Sequence, residues 1–214
     1  MNRLLLRNYQ WAPNFVRMHI WSRLQLFPFT KLERFLPLEG TFIDIGCGYG
    51  QWPLLMGYIR PQADIYGYDP DETKIDRGKE AIDQSGLSNV HLGMGSGIDL
   101  PWMPCRLVTV IDVLYLIPFA EQEKILLKAF DHLEPGGRLL IKEMNDKPRW
   151  KYVWNWFEEW LVVRFLKITL GKRFYFRNQS EWETLLRRLG YLVETHRLDR
   201  GYLHPHVLFV GDKP

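Results

Sequence analysis

The chain has only two cysteines in 214 residues, which excludes a scaffold built on disulfides. One, Cys47, lies in a glycine-rich loop and the other, Cys105, just before an apolar strand, so a reducing cytoplasm is the expected setting. Long apolar runs are missing too. No uncharged stretch approaches the roughly 20 residues that a transmembrane helix requires. The opening residues, Met1 to Arg7, hold too short an apolar run for a signal peptide. Internal repeats and low-complexity tracts are also absent. What remains is a chain of single-domain length, with enough residues for a full core.

The most informative segment is Phe42-Ile-Asp-Ile-Gly-Cys-Gly-Tyr-Gly50. An apolar strand carries Asp44 near its end and gives way to a loop with Gly46, Cys47, Gly48 and Gly50, where a backbone free of Cβ atoms can turn sharply and approach a ligand. A second apolar run, Ile65 to Tyr68, ends in Asp69-Pro70, and an acid at that strand tip is placed to accept hydrogen bonds from ribose hydroxyls. Two common phosphate-binding patterns are missing. The third glycine of G-x-G-x-x-G is replaced by Gln51, and no Gly-Lys-Ser/Thr follows. Asp44 puts a carboxylate where a dinucleotide site would receive pyrophosphate; it repels phosphate and suits a ligand bearing an ammonium and a sulfonium.

The pattern Asp44-x-Gly46-x-Gly48-x-Gly50 resembles the first motif of class I, Rossmann-like S-adenosylmethionine-dependent methyltransferases. The resemblance continues in order through Asp69, through Val108-Thr-Val-Ile-Asp112 as the fourth strand, and through Leu133-Glu-Pro-Gly-Gly-Arg-Leu-Leu-Ile141 as the turn into the fifth; it covers about residues 40 to 145 and resumes near Ser180. It implies S-adenosyl-L-methionine as cofactor, with Asp69 on the ribose and Asp112, followed by Val113, beside the methionine part. One departure stands out. Relatives often carry Gly-Asp-Ala before Leu-Pro, with the acid on the adenine amino group, whereas this chain reads Gly95-Ser96-Gly97-Ile-Asp99-Leu-Pro101. Ser96 occupies the acidic position, and Asp99 is three residues out of register.

The implied fold is α/β: a doubly wound, mostly parallel seven-stranded sheet with a terminal antiparallel strand, plus helical additions at the N-terminus and at 146–178 that form a lid. The coarse pattern gives helix 14–27, strand 41–46, helix 51–59, strand 64–68, helix 71–85, strand 89–93, strand 107–112, helix 119–133 and strand 137–143. A helix capped by Ser180 and Glu183 follows, then strands 191–198 and 206–211. The whole reads as one methyltransferase domain: a helical cap 1–38, a cofactor-binding core 39–145, an aromatic and basic insertion 146–178, and a last helix and strand pair 179–214.

Charge is distributed unevenly. Residues 1–38 hold six Lys or Arg against one acid, 147–177 eight against two, and 39–146 nine against seventeen. Basic flanks on an acidic core indicate either docking of the flanks on the core or an anionic partner, such as an acidic carrier protein or an anionic membrane surface. In the insertion, Trp150, Val153, Trp154, Phe157 and Phe165 follow a helical stripe that suits a lid, a pocket wall or a helix lying on a membrane.

Ligands of an open α/β sheet lie beyond the carboxyl ends of the strands. That rule selects Asp44, Asp69, Asp112, Glu143 and the turn 200–206, while Tyr115 after Asp112, His19 of the N-terminal helix, Trp150 and Trp154 of the insertion and Tyr202 of the turn are the residues expected to line the acceptor pocket. For a general base it selects His204 and His206 in the turn before the last strand, with Glu143 next. No third ligand accompanies the two histidines, so no metal is expected. Asp112-Val-Leu-Tyr115 lacks the Pro-Pro of nucleic-acid amino-methyltransferases, and nucleic acid is not an expected partner. The reading is a methyltransferase acting on a small, largely apolar acceptor (a lipid, polyketide-like or aromatic metabolite, free or tethered to a carrier). The alternative is a peripheral membrane or protein-binding module on a vestigial methyltransferase fold.

Overall fold

The computed structural model describes residues 2–26, 29–144, 174–198 and 206–214. Three helical pieces lead in: α1 (Asn2–Arg7), α2 (Asn14–Leu26) and α3 (Phe29–Leu32), the last running into a 3-10 turn, Glu33–Phe35. Strand and helix then alternate as β1 (Gly40–Ile45), α4 (Gln51–Ile59), β2 (Ala63–Asp69), α5 (Glu72–Ser85), β3 (Val90–Met94), β4 (Cys105–Ile111), α6 (Phe119–His132) and β5 (Leu133–Met144). The chain closes with α7 (Gln179–Arg188), β6 (Leu192–Arg197) and β7 (His206–Asp212).

The seven strands form one sheet in the order β3-β2-β1-β4-β5-β7-β6. β7 is antiparallel to both β5 and β6, and the pairs among β1 to β5 are parallel. The strand order reverses between β1 and β4, which places a topological switch point at the carboxyl ends of those two strands. Side chains alternate across the sheet and feed two cores. Phe42, Leu107, Leu140 and Leu208 pack with α1 to α5 on one face, and Ile43, Val108, Leu139, Ile141 and Phe209 pack with α6 and α7 on the other.

The N-terminal helices belong to the first core. Leu5, Tyr9, Val16, Ile20 and Leu24 are buried in it, and two polar bonds fix their position: Tyr9 Oη donates to the Tyr49 carbonyl at 2.7 Å, and Asn8 Nδ2 to Tyr58 Oη at 2.8 Å. The capping of α7 corrects the sequence expectation. Asn178, not Ser180, is the N-cap; its side chain accepts from the Glu181 amide at 3.0 Å, and the Glu181 carboxylate accepts from the Asn178 amide at 2.7 Å. Glu183 instead accepts from Gln179 and Thr195, which ties α7 to β6. Of the expected insertion 146–178, only residues 174–178 fall among those described.

Gln122 of α6 pins the segment after β4. This fully buried amide donates to the carbonyls of Leu114, Ile117 and Tyr175, and its oxygen accepts from Arg177 Nε at 2.9 Å. Replacing it by leucine leaves buried carbonyls without donors. Gln122→Leu should therefore lower the free energy of unfolding by about 2 kcal/mol, read from urea denaturation.

Candidate functional site

Asp44, Asp69 and Asp112 lie at the carboxyl ends of β1, β2 and β4, which fall at one edge of the sheet because these strands run parallel. Each is held differently. Asp44 lies directly beside Thr109 in the β1–β4 register and accepts from its hydroxyl at 2.6 Å; the Trp52 indole donates to the same hydroxyl at 3.3 Å. Burial raises the Asp44 carboxyl to about 7, the Thr109 bond opposing that shift and Asp69 adding to it.

Asp69 stitches the glycine loop to the end of β2. Its Oδ2 accepts from the Gly48 amide at 2.9 Å. Its Oδ1 accepts from Asp71 N at 3.0 Å, since Pro70 between them has no N–H to offer. The Tyr68 carbonyl accepts from both the Gly46 and Cys47 amides, at 2.7 and 3.0 Å. Two glycines in this loop shape the site in different ways. Gly46 has φ +76, and a Cβ there would strike Val113 at the exit of β4. Gly48 has φ +56, and a Cβ there would enter space with no atom within 4 Å. The loop thus leaves an open cradle beside the Asp69 carboxylate. Burial, with Asp44 and Asp69 nearby, pushes the Cys47 thiol well above its ordinary value, and burial pushes Cys105 up to about 12, so neither is an effective nucleophile.

Asp112 is the only non-glycine residue with positive φ, +55, among those described. Its carboxylate pairs with Arg23 Nη1 of α2 at 3.0 Å and with the Lys142 ammonium of β5. Burial works against its charged form, but Lys142, Arg23 and, less strongly, His206 outweigh that and hold it at about 2. Lys142 is 1% exposed. Glu143 beside it is equally buried and accepts from the backbone amides of Leu114 and Tyr115; burial, then Asp112, raise its carboxyl to about 8. His206 is buried as well, and its Nε2 is 3.0 Å from the Leu26 carbonyl, which can only accept. That ring nitrogen holds the end of α2.

The remaining expected residues divide cleanly. His19 is open to solvent yet crowded: its ring meets Tyr49 edge-on at 5.6 Å, and desolvation, then Arg23 and Lys74, hold its imidazole down at about 4. Tyr115 stacks on Phe176 at 5.4 Å and tilts against Phe174 at 5.9 Å, while its carbonyl accepts from the Tyr175 amide. Ser96 and Asp99, three apart, are brought together by a turn, Ser96 Oγ lying 3.3 Å from Asp99 Oδ2; buried Gly97 lies between them, close against Ile125 and Ile45. Trp150, Trp154, Tyr202 and His204 lie outside the described residues. Sequence reasoning missed Arg23, Thr109 and Lys142. A polar residue within an otherwise apolar buried strand, Thr109 in β4 or Lys142 in β5, is the signal that points to them.

Strand order and fold together define an α/β methyltransferase architecture. The comparisons with known proteins agree. A family model described as a methyltransferase domain matches residues 20–196, and the chain belongs to that family, the S-adenosylmethionine-dependent methyltransferases. Demethylmenaquinone methyltransferase of Listeria welshimeri is 26% identical over 173 residues, which is 79% of this chain and 69% of the relative. Among solved structures, the S-adenosylmethionine-dependent methyltransferase SibL, in its apo form, aligns with a TM-score of 0.73 at 21% identity. That alignment covers 94% of this chain, which spans only 58% of SibL. Magnesium protoporphyrin IX methyltransferase from Synechocystis PCC 6803, with bound SAH, aligns with a TM-score of 0.70 at 17% identity over 99% of this chain and 94% of its own.

The buried pair sets a stability test. Lys142→Met leaves the buried Asp112 carboxylate to the partly exposed Arg23 and should cost about 3 kcal/mol in urea unfolding, while adding Asp112→Asn to that variant should recover part of the loss.

Proposed function

We propose that this enzyme methylates a small, largely apolar acceptor bound beyond the carboxyl ends of β4 and β5. When bound, S-adenosyl-L-methionine supplies an electrophilic methyl group on a positively charged sulfur. The observation that carries the cofactor assignment is the Gly48–Asp69 cradle: open space over a backbone with no Cβ, flanked by a carboxylate already fixed by two amides. There Asp69 accepts from ribose hydroxyls, Asp44 offers negative charge to the ammonium of the methionine part, and Val113 closes the side facing Gly46. The Ser96–Asp99 turn forms the adenine end, Asp99 restoring the acid that Ser96 lacks.

The acceptor assignment rests on Tyr115, Phe174 and Phe176. These rings form an apolar wall where the chain leaves β4, suited to aligning an acceptor and excluding water. Relatives named for demethylmenaquinone and magnesium protoporphyrin IX support an acceptor of small-molecule size. His19, edge-on to Tyr49 of the glycine loop, is held as a neutral imidazole. Glu143 and His206, each bonded to backbone and at most 5% exposed, are assigned here to positioning the β4 exit and α2 rather than to proton transfer. His204 retains the role of candidate base. The setting proposed is cytoplasmic; among the described residues no helix is long and apolar enough to cross a membrane.

Three measurements bear on this reading. Titration calorimetry with S-adenosylhomocysteine should show binding to the wild type and loss of at least about 100-fold in Asp69→Ala, where a charged acceptor of two hydroxyls is removed. Gly48→Val should abolish binding while the chain stays folded by circular dichroism; a retained cofactor would refute the cradle. Because Asp44 titrates near 7 and a cationic ligand favours its ionised form, affinity should rise by up to about tenfold per pH unit from pH 6 to 7 and then level off, a dependence that Asp44→Asn flattens. The acceptor itself is sought by mass spectrometry, as metabolites that gain one methyl in an overexpressing strain and fail to do so with Asp69→Ala.

A further inference from the structure

The outer face of α1 and α2 is apolar where a surface helix is ordinarily polar. Leu4, Trp11, Phe15, Met18, Trp21 and Leu26 are all exposed, from 40% to 64%, and they make up more than half of the large exposed hydrophobic side chains among the described residues. Phe15, Met18 and Trp21 follow one stripe of α2, while Val16, Ile20 and Leu24 on the opposite stripe are buried in the core. A helix that is apolar on both faces has a second apolar environment to satisfy. A groove of about 400 Å3 opens on this face, lined by Leu6, Tyr9, Arg17, Met18 and Trp21 among others.

The charge carried by α1 and α2 is of one sign. The first acidic residue of the chain is Glu33, and Arg3, Arg7 and Arg17 are exposed among the apolar side chains. The Arg77 guanidinium adds a further cation, 5.2 Å from the centre of the Phe15 ring. Tryptophans and long apolar side chains interspersed with arginines, with no carboxylate on either helix, match the headgroup layer of an anionic bilayer: the rings and methionine enter the acyl boundary and the guanidinium groups meet lipid phosphates. A protein partner would ordinarily meet charges of both signs across a polar rim, and α1 and α2 offer one sign only.

We propose that the outer face of α1 and α2 docks this enzyme on an anionic lipid surface. The assignment is independent of the acceptor reading. Its geometry bears on the site, because α2 turns Met18 and Trp21 outward and sends Arg23 inward to Asp112. Lipid and cofactor cradle are then separated by little more than one helix, about 10–12 Å across.

The test is vesicle flotation with the full chain at 0.1 M salt, comparing phosphatidylcholine vesicles with vesicles containing one-third phosphatidylglycerol. The wild type should float with the anionic vesicles and partition at least about tenfold less onto the neutral ones. Arg7→Gln combined with Arg17→Gln should weaken anionic partition by roughly 30-fold, at about 1 kcal/mol for each cation near the surface. Met18→Ser with Trp21→Ser should weaken it by about tenfold or more. Both double variants should keep the wild-type affinity for S-adenosylhomocysteine and the wild-type melting temperature, which separates a lost surface from a lost fold or cofactor site. Equal partition onto neutral vesicles, wild-type partition by both variants, or a wild-type dimer that Met18→Ser with Trp21→Ser turns into a monomer would overturn the proposal.

Discussion

The pairing of one carboxylate with two cations from different parts of the chain organises the ligand side of this enzyme. Asp112 sits in a left-handed backbone conformation that a non-glycine residue adopts at a cost. Arg23 reaches it from the N-terminal cap and Lys142 from the neighbouring strand. Each cation ties a different element to the same carboxylate, so the cap helix, the exit of β4 and the end of β5 keep their positions together. Glu143 and His206 extend the same arrangement by one contact each, the first to the β4 exit loop and the second to the last turn of α2.

Three aspartates at three strand ends therefore do different work. Asp112 is neutralised within the protein and contributes little net charge outward. Asp69 is fixed by amides, which donate hydrogen bonds without cancelling its charge. Asp44, buried against Thr109, sits near the middle of its titration at neutral pH, and a cation arriving beside it decides its state. A surface formula of three negative charges thus overstates what a ligand meets. The field in the cradle belongs mainly to Asp69, with Asp44 responding to whatever is bound.

Much of this was legible in the sequence because strand periodicity and glycine placement are local properties. Gln51–Ile59 falls on the expected helix residue for residue, and the three strand-end acids follow from the rule that ligands lie beyond the carboxyl ends of strands. What was not legible depends on pairing across the sheet. Asp44 and Thr109 are neighbours only because β1 lies beside β4 in one register, 65 residues apart in sequence. Lys142 reads as an ordinary strand residue until β5 is placed next to β4. The first helix escaped notice because its six residues carry too weak a pattern, and tertiary packing of Leu5 supplies what local propensity does not. The α7 cap was displaced by two residues because Ser180 and Asn178 are both good caps, and Glu181 completes the reciprocal bonds with the latter.

Gln122 holds more than its own helix. Through it, Tyr175 and Arg177 are fastened beside Tyr115, while β5 runs out at Met144 with Glu143 gripping the same turn. The chain accordingly departs from, and returns to, nearly one point on the scaffold. Both moorings sit on the described scaffold of β4, β5 and α6, whose strand register is set by the sheet itself. A lineage retuning its chemistry to a new acceptor has a ready splice site there, and a designer grafting a foreign segment would cut at the same two places.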